Sequence, residues 1–598
     1  METFSKLFYL LSYKERINAF LLFILILINA ILDTIGVASI LPFMAVLSNP
    51  DIVETNQILN FFFHSSAFFG VENTQQFLFL LGFMLFILLI FSLSIKAVTV
   101  YYQSRFVLMR QYSIGKLLIE RYLHQPYSWF LSRNSAELGK NILTEVSQIV
   151  GGIINPLIEL MAKGLVTICL ITLLFLVDPK LTLIVGLTIG STYLLIFNSL
   201  RKYITKIGNK RLINNNLRFI AVNEAFGAIK EIKIKSLEHS YVKLFSKSAK
   251  ILAKTQAYSN AVSQLPRFIL ESIAFGGILL IILYLMSKSN GVSSVLPVVS
   301  LYVFSGYRLI PALQKIYSCF VSLTFSDPSL NKIYDDIKNL KTVKDDHFKD
   351  VISFNNKITL KNIFYEYPNS SRTALKNINL EIYAKSSVGF VGATGSGKTT
   401  MVDIILGLLE PQKGTLEVDG KVITSNKNIR AWQKLIGYVP QNIFLSDDSI
   451  SANIAFGVET KDVKEELIEK ASRIANLHDF VVNELPEKYQ TTIGERGIRL
   501  SGGQIQRIGI ARALYHNPKI LILDEATSSL DNLTEQMVMD DINNLSKNIT
   551  IIQIAHRLNT VKNCDIIYEF NKGQLVGQKS YEKLIEGIDS LIQSKRES

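Results

Sequence analysis

The stretch Gly392-Ala393-Thr394-Gly395-Ser396-Gly397-Lys398-Thr399 decides the fold of the C-terminal part of the chain. It follows an apolar stretch, 387–391, that predicts a strand, and it leads into a predicted helix that begins near Lys398. A strand, a glycine-rich loop and a helix in this order form a phosphate-binding loop. Glycine lets backbone N–H groups point inward, and the helix N-terminus adds a favourable dipole. In such a loop Lys398 neutralises the β- and γ-phosphates, and the Thr399 hydroxyl binds Mg²⁺.

A second element, Ile520-Leu521-Ile522-Leu523-Asp524, is an apolar strand that ends in a carboxylate and is followed by Glu525. A carboxylate in such a buried position needs a cation nearby, which Mg²⁺ supplies. A phosphate-binding loop matched alone has a real false-positive rate. Together with the flanking strand and helix and this second strand, it predicts an ATP- and Mg²⁺-binding α/β domain.

The N-terminal half of the chain is strongly apolar. The chain has 598 residues, of which 48% are hydrophobic, and its mean hydropathy is +0.27. No Lys or Arg occurs from Ile17 to Ile95. About 20 apolar residues cross a bilayer as a helix, and the first run is too long for a signal-peptide core. We predict six membrane helices, at about 17–47, 76–104, 150–177, 181–199, 266–287 and 292–318.

The net charge of +13 is compatible with nucleic acid or with an anionic membrane surface, but its distribution favours the membrane. The stretch 50–76 holds acidic residues and no basic one, whereas 105–140 is crowded with Lys and Arg. That asymmetry predicts a cytoplasmic N-terminus and a cytoplasmic 105–140 segment. An even number of helices then returns the chain to the cytoplasm, where ATP is. We expect no nucleic-acid partner.

The composition changes once along the chain, at a charged linker. We predict an all-α transmembrane domain of six helices over 1–337, the linker over 338–350, and an α/β P-loop ATPase domain over 351–598. The fold class is therefore multidomain.

The two nucleotide motifs, together with Leu500-Ser501-Gly502-Gly503-Gln504 between them, resemble the nucleotide-binding domain of the ATP-binding cassette (ABC) family. In that family the signature loop of one subunit closes on ATP held by the other, so the resemblance implies a homodimer. It also implies a general base at Glu525 and a γ-phosphate contact at His556. Gln441 would sense Mg²⁺ and water, Asp531 would act across the dimer, and Tyr367 would stack on adenine, with Tyr365 as its rival.

The predicted site residues fall into three groups. The catalytic group is Glu525, His556 and Gln441. The Mg²⁺ group is Thr399, Gln441 and Asp524. The nucleotide-binding group is Tyr367, Gly392, Ala393, Thr394, Gly395, Ser396, Gly397, Lys398, Thr399, Thr400, Ser501, Gly502, Gly503, Gln504 and Asp531.

Three further segments resemble parts of ABC exporters. The run Gly494-Glu495-Arg496-Gly497 resembles the exporter-specific loop before the signature. The segments 125–138 and 223–233 resemble cytoplasmic loops that end in short coupling helices docked on the ATPase. Importer ATPases are separate soluble chains, so fused membrane spans favour export. The alternative for both loops is an amphipathic connector with solvated charges.

Charged residues inside the predicted spans are the place to look for the substrate, because each costs about 2.5–3.5 kcal/mol at the bilayer centre on insertion scales. They are Asp33, Lys96, Arg267, Glu271 and Arg308. Arg267 and Glu271 stand four residues apart, so they are expected to pair on one helix. Asp33 is expected to pair with a basic residue of a neighbouring helix. An excess of positive charge would remain and suit an anionic amphiphile, since Arg grips phosphate bidentately.

The segments 264–271 and 307–311, with the layout of the first helix, resemble the bacterial lipid-linked oligosaccharide flippases. The resemblance implies movement of a polyprenyl-pyrophosphate-linked oligosaccharide from the cytoplasmic to the outer leaflet. Arg267, Arg308 and Lys96 would then be candidates for contact with the pyrophosphate. Two alternatives stay open: an exporter of another amphiphile (a lipid A-like lipid, a drug or a peptide), or a regulatory membrane ATPase that moves nothing. The expected location is a bacterial inner membrane, with the ATPase domain in the cytoplasm.

Overall fold

The structure is a computed structural model, and it describes residues 2–288, 292–340, 352–368, 370, 372–424, 428–494, 497–527, 531–545, 548–555 and 557–586. It divides into two compact units. The first comprises Met1–Gln125 and Arg133–Val343. The second comprises Lys344–Ser598 together with the short segment Pro126–Ser132.

The first unit is helical in its described residues, and each predicted span overlaps a long helix. These helices are α1 (Tyr13–Ala38), α2 (Thr74–Leu123), α3 (Asn155–Val177), α4 (Pro179–Gly227), α5 (Glu238–Lys288) and α6 (Val292–Asn339). Within the described chain, four helical stretches are long and apolar enough to cross a membrane: Tyr13–Ser48, Thr74–Leu123, Ser135–Val177 and Thr182–Gly227. The fifth and sixth predicted spans lie in α5 and α6, where many side chains fall outside the described residues.

Several of these helices are far longer than a bilayer is thick. At 1.5 Å per residue the 50-residue α2 measures about 75 Å, whereas a hydrocarbon core measures about 30 Å. The helices α4, α5 and α6 have similar lengths. Each therefore continues beyond a membrane, as the long polar connections in the sequence predict.

Short helices complete the first unit. The α-helices are Glu2–Leu10, Ile40–Ser48, Ile52–Thr55, Gln57–Ser66, Ser135–Lys140, Val146–Ile149 and Ile229–Ile234, and Ala67–Phe69 is a 3₁₀ turn. Asn141–Glu145 and Val150–Ile154 are π-helical, directly before α3. Such π segments are rare and often mark functional positions in a helix.

A buried ionic network joins three helical segments of this unit. Glu145, the last residue of the first π segment, has no exposed surface. Its carboxylate accepts hydrogen bonds from Arg211 (2.7 Å) and Asn215 (2.7 Å) on α4. It also accepts one from the Ser329 hydroxyl on α6 (2.8 Å), which itself accepts a hydrogen bond from Arg211 (2.8 Å). Each charge is paired, which is the condition under which a buried ion pair is tolerated.

The second unit contains two sheets. An antiparallel sheet has the strand order β2-β1-β4-β5, and a second sheet has the order β10-β9-β3-β8-β7-β6. The strands are β1 (Lys357–Glu366), β2 (Thr373–Tyr383), β3 (Ser387–Gly392), β4 (Lys413–Val418), β5 (Lys421–Val422), β6 (Ile436–Val439), β7 (Ile520–Asp524), β8 (Thr550–Ile554), β9 (Ile566–Asn571) and β10 (Gln574–Lys579). In the second sheet β10 is antiparallel to β9, and the other pairings are parallel.

Helices cover the parallel sheet of the second unit. The three that bear on the site are α7 (Lys398–Ile405), α8 (Gly502–Tyr515) and α9 (Asn532–Leu545). The others are Tyr127–Phe130, Ile429–Gln433, Ile450–Ile454, Glu465–Ile474 and His478–Glu484, with 3₁₀ turns at Thr460–Asp462, Lys488–Gln490 and Leu558–Val561. All five residues of β7 and of β8 are buried, which explains why their sequences are mostly apolar.

We expect the Glu145 network to be necessary for the stability of the helical unit. Glu145→Gln would leave the Arg211 guanidinium buried with no carboxylate partner, and breaking a buried pair in this way costs about 3–5 kcal/mol. Thermal unfolding of the full-length protein in detergent should show a lowered Tm. The double variant Glu145→Gln/Arg211→Gln should recover part of the loss, because it removes the unpaired charge.

The matched control is Lys233→Ala, which breaks the Lys233–Glu238 pair in the same unit. That pair is exposed (66% and 46%), so its loss should cost no more than about 1 kcal/mol. A Glu145→Gln protein as stable as the Lys233→Ala protein would contradict the expected role of the network.

Candidate functional site

The glycine-rich loop between β3 and α7 has a backbone that only glycine adopts readily. Gly392, Gly395 and Gly397 have φ values of +146°, +75° and +108°. At Gly392 an added Cβ would lie 2.2 Å from the carbonyl oxygen of Phe570. The glycine spacing that predicted a phosphate-binding loop is therefore required by the local geometry.

The ammonium group of Lys398 contacts the backbone of this loop. Its Nζ donates hydrogen bonds to the carbonyl oxygens of Gly392 (2.7 Å) and Ala393 (3.1 Å). Burial lowers the pKa of Lys398, and the negative charges of Glu525 and Asp524 act in the opposite direction. These contacts place a cation at the mouth of the loop.

A pocket of about 570 Å³ opens in front of the loop. It brings together segments that lie up to 200 residues apart in the sequence. Its lining residues are Tyr367, Ser370, Arg372, Thr373, Ala374, Thr394, Gly395, Gly397, Lys398, Thr399, Thr400, Gln441, Glu525 and Gly573. Residues from the loop, from the segment after β6 and from the end of β7 thus share one cavity.

Glu525 and Gln441 contact each other at the edge of this pocket. Gln441 Nε2 donates a hydrogen bond of 2.8 Å to Glu525 Oε2. Glu525 has a φ of +51°, in the left-handed region that costs a non-glycine residue roughly 1–2 kcal/mol. Its backbone N–H donates to the carbonyl oxygen of Ile554 on the neighbouring strand (3.3 Å). Backbone strain of this kind clusters at functional positions.

Asp524 is buried at the end of β7, as its sequence position predicts. Burial is the main reason that the pKa of Tyr438 is raised, with the charge of Asp524 and a hydrogen bond to its carboxylate as further causes. Thr399, Gln441 and Asp524 offer oxygen ligands of the kind that Mg²⁺ prefers. Within the described residues no group of three or more His, Cys, Asp or Glu side chains could hold a metal ion. Mg²⁺ bound through few protein ligands and the phosphates of a nucleotide fits such a donor set.

The two tyrosines proposed for the adenine have different environments. Tyr365 is buried beneath Tyr367, and the two rings meet edge to face with 5.2 Å between their centroids. Tyr367 lines the pocket, and its hydroxyl shares a hydrogen bond with Thr400 Oγ1 at 2.9 Å. Of the two, Tyr367 is the residue placed to contact a nucleotide base.

The signature residues form the exposed start of α8. Ser501 Oγ accepts a hydrogen bond from the backbone N–H of Gln504 (3.3 Å), and the Gln504 side chain accepts one from the N–H of Ser501 (2.8 Å). This reciprocal pair is a capping box, which fixes the start of the helix. Ser501 and Gly502 are exposed. Among the described residues that line the pocket, none belongs to 501–504.

Asp531 is exposed and accepts a hydrogen bond from the N–H of Thr534 (3.0 Å), next to the start of α9. This backbone hydrogen bond is the main reason that the pKa of Asp531 is lowered. His556, predicted to contact the γ-phosphate, lies outside the described residues. So do Glu495 and Arg496 of the exporter-type loop and the three residues 528–530 before Asp531.

Arg512, on α8, is a residue that the sequence analysis missed. Its Nε donates to the carbonyl oxygen of Asn453 (2.7 Å), and its Nη1 donates to that of Phe444 (2.8 Å). The guanidinium also lies 4.8 Å from the centre of the Phe456 ring. Arg512 therefore ties the signature helix to the segment that follows Gln441. The sequence feature that could have identified it is the presence of an arginine among the apolar residues of α8.

Glu535, on α9, is a second missed residue. Its carboxylate accepts hydrogen bonds from the hydroxyls of Thr527 (2.8 Å) and Thr560 (3.4 Å). It also pairs with Arg557 at 3.3 Å. These contacts connect the helix after Asp531 with the segment after residue 556. No motif pointed to Glu535, because its partners come from two other segments.

The segment Pro126–Ser132, predicted to be a coupling segment, belongs to the second unit. It contains Tyr127, whose pKa is raised by burial and by the charge of the Asp403 carboxylate on α7. Asp403 is itself buried, and burial together with the charge of Asp524 raises its pKa to about 6. A segment from the first third of the chain thus lies near the helix that starts at the phosphate-binding loop.

The candidate substrate residues of the first unit are all paired with carboxylates. Arg267 Nε lies 2.8 Å from Glu271 Oε1 on the same helix, as the spacing predicts. Arg308 on α6 forms an ion pair with Asp33 on α1, and Lys96 Nζ on α2 lies 3.8 Å from the same carboxylate. The prediction that Asp33 pairs with a neighbouring helix is confirmed, and it has two partners.

Comparison with known proteins gives two family matches. The model described as the ABC transporter transmembrane region matches residues 17–309, and the model described as ABC transporter matches residues 375–528. The predicted order of a helical transmembrane region followed by an α/β ATPase domain is therefore confirmed.

Similar proteins come from several bacteria. An ATP-dependent lipid A-core flippase of Syntrophus aciditrophicus is 30% identical over 493 residues, which is 78% of this chain and 77% of that protein. The heterocyst differentiation ATP-binding protein HepA of a Nostoc species is 30% identical over 494 residues, covering 79% and 76%. A solved structure of a bacterial Atm1-family ABC exporter with ATP bound has a TM-score of 0.78, with 21% identity and coverage of 96% and 98%.

The fold agrees with these matches, because a helical membrane unit and a P-loop ATPase unit occur in one chain. The protein is an integral membrane exporter that binds ATP and couples its hydrolysis to transport. On the strength of both the sequence matches and the architecture, the chain belongs to the ABC transporter family.

Proposed function

We propose that this exporter is a homodimeric flippase that moves an anionic, phosphate-bearing lipid from the cytoplasmic to the outer leaflet. The observation that carries the proposal is the pair of cations Arg308 and Lys96 gathered within the helical unit around Asp33. A charge inside a membrane domain is costly and marks a functional position by default. Two cations against one carboxylate leave positive charge for an anionic ligand.

Of the substrates weighed from the sequence, a lipid A-like lipid is now better supported than a lipid-linked oligosaccharide. Several relatives carry the name ATP-dependent lipid A-core flippase. The oligosaccharide hypothesis, our leading one from the sequence, rests on the short segments 264–271 and 307–311 and remains the second candidate. Both lipids present phosphate to the protein, so Arg308 and Lys96 serve either. Arg267 is the weaker candidate, because one carboxylate, Glu271, balances this one cation, whereas Asp33 is shared by two cations.

For the ATP site we propose that Glu525 is the general base and that Gln441 orients it. The hydrogen bond between them and the strained backbone of Glu525 support these roles. Lys398 would neutralise the phosphates, and Tyr367 would stack on the adenine. Thr399, Gln441 and Asp524 would hold Mg²⁺, which supplies charge neutralisation at the phosphates. His556 would contact the γ-phosphate.

The proposal of a homodimer rests on the position of the signature residues. Ser501 and Gly502 are exposed. None of the four signature residues is among the described residues that line the pocket of their own chain. A second copy of the chain would bring Ser501, Gly502, Gly503 and Gln504 to that pocket, and Asp531 to the same interface. Closing of the two ATPase domains on ATP would then be passed to the membrane helices through segments such as Pro126–Ser132, giving alternating access.

A regulatory ATPase that moves nothing is the remaining alternative. It is disfavoured because Lys398, Gln441 and Glu525, which the proposed hydrolysis uses, line one pocket. Transfer of a lipid across a membrane distinguishes the two functions directly. The expected location is the inner membrane of a bacterium, with the ATPase domain on the cytoplasmic side.

We expect Glu525→Gln to lower the rate of ATP hydrolysis by about 100-fold or more, because a positioned base contributes roughly 10²–10⁴-fold. The full-length variant should retain bound ATP, measured as labelled nucleotide that stays with the protein after gel filtration. Phosphate release gives the hydrolysis rate. The matched control is Glu569→Gln, which only breaks the Lys579 pair at the β9–β10 edge. Rapid turnover by Glu525→Gln would show that the base is another residue.

We expect Arg308→Ala to reduce the ATP-dependent transfer of a phosphorylated lipid by about 10-fold or more. A hydrogen bond to a charged group contributes roughly 1.5–3 kcal/mol, which corresponds to about 10- to 100-fold. Transfer is measured in proteoliposomes with a labelled lipid A and with a labelled polyprenyl-pyrophosphate oligosaccharide. The lipid that wild type moves faster identifies the better substrate.

The control for this experiment is Lys315→Ala on the same helix, which breaks the Lys315–Glu159 pair away from Asp33. It should leave the transfer rate near that of wild type. Equal losses in Arg308→Ala and Lys315→Ala would indicate that helix packing, and not phosphate binding, explains the effect. No transfer by wild type despite vigorous ATP hydrolysis would overturn the proposed substrate class.

A further inference from the structure

We infer that Asp33 is a built-in counter-anion, which partly neutralises the phosphate-binding cations Arg308 and Lys96 and so sets how tightly the transporter holds its anionic substrate. This inference rests on the proposed function, because it concerns the same cations. It adds a positioning residue whose charge opposes that of the substrate. Neither the motifs nor the relatives assign any role to Asp33.

Three helices of the membrane unit contribute to this cluster. Asp33 lies on α1, and its carboxylate pairs with Arg308 on α6 and lies 3.8 Å from Lys96 Nζ on α2. The Ser92 hydroxyl, one turn before Lys96, donates to Asp33 Oδ1 at 3.3 Å. Two cations from different helices therefore contact one carboxylate.

The burial of these groups is asymmetric. The Asp33 side chain is 6% exposed, whereas those of Arg308 and Lys96 are 23% and 37% exposed. The carboxylate therefore lies behind the cations, which reach the accessible surface of the chain. A guanidinium has five N–H donors, and Arg308 commits Nη1 to Asp33. Arg308 can therefore bind a phosphate on its accessible side while its contact with Asp33 persists.

The surroundings make these charges act strongly on one another. Ala30 and Val37 flank Asp33 by about one turn on either side, and they belong to a buried apolar cluster with Val166, Leu170 and Leu301. In an environment of low polarity, charge interactions are stronger than in water. On α3 the Glu159 carboxylate is engaged by Lys315 at 2.6 Å. Among the described groups around the cluster, Asp33 is therefore the carboxylate whose negative charge offsets the positive charge of Arg308 and Lys96.

The physical consequence is a compromise between capture and release. Without Asp33 the two cations would repel each other in a partly buried place, and they would hold an anionic substrate too firmly. With Asp33 the cations stay in position, and part of their charge is already neutralised. Transport requires binding strong enough for entry and weak enough for exit. Asp33 contributes to release, because it lowers the affinity of the cations for an anionic substrate.

The test is Asp33→Asn in the full-length transporter reconstituted in proteoliposomes. The probe is a bisphosphorylated lipid A, and the same lipid without phosphates is the comparison. We expect the lipid concentration that gives half-maximal ATPase stimulation to fall about 10-fold for the phosphorylated lipid only. The maximal transfer rate should fall as well, because release is slowed. An unchanged or increased half-maximal concentration would overturn the inference.

A double variant guards against misfolding as the explanation. Asp33→Asn/Lys96→Gln removes one negative and one positive charge, so the net charge of the cluster returns to that of wild type. Its half-maximal concentration should return toward the wild-type value. If the half-maximal concentration of the double variant instead stays as low as that of Asp33→Asn, charge balance is not the cause and the inference fails.

If Asp33→Asn cannot be purified, two other variants test the inference. The double variant and Asp33→Glu, which keeps the negative charge, should both give half-maximal concentrations near that of wild type. A large shift in either would overturn the inference.

A matched control is Glu159→Gln, which removes a carboxylate from an ion pair between α3 and α6. It should not change the half-maximal concentration. The failure of the proposed function has a different signature from the failure of this inference. In the first case wild type shows no response to phosphorylated lipids, which overturns both. In the second case wild type responds and transports, and Asp33→Asn has the same half-maximal concentration.

Discussion

Five parallel strands end at one edge of the larger sheet, and the chemistry of the ATP pocket depends on that shared edge. β3 delivers the glycine-rich loop there, β6 leads to Gln441, and β7 delivers Asp524 and Glu525. A loop at the end of one strand can contact the loop of the next only because parallel strands bring their carboxyl ends together. The hydrogen bond between Gln441 and Glu525 joins residues 84 positions apart in this way. The same edge receives α7, whose first residues, Lys398, Thr399 and Thr400, line the pocket.

Much of this pocket could be predicted from the sequence, because each motif carries its own local geometry. The positive φ angles of Gly392, Gly395 and Gly397 follow from the loop pattern, and the burial of Asp524 follows from its apolar strand. Arg512 and Glu535 could not be found in this way. Their partners lie in other segments of the unit, and one sequence does not state which segments meet.

In the membrane unit, too, some features could be predicted from the sequence and others could not. Helix positions follow from hydropathy, and the Arg267–Glu271 pair follows from helical spacing. The π-helical segments before α3 could not be predicted, because no residue pattern distinguishes them from an α-helix. The two cations on Asp33 depend on how α1, α2 and α6 pack, which hydropathy does not determine. The oligosaccharide hypothesis depended on two short segments, whereas the similarity to the lipid A-core flippases extends over most of the chain.

The membership of Pro126–Ser132 in the second unit has a consequence for how the protein is made. Lys344 follows Ser132 by 212 positions, so the segment leaves the ribosome long before the rest of its unit exists. At about 5–20 residues per second, roughly 10 seconds or more pass before synthesis even reaches that unit. Contacts between such distant segments form slowly, because a long loop must first be closed. The ATPase unit therefore completes its fold only after the membrane helices have been synthesised, and an ATPase fragment made alone lacks one of its own parts.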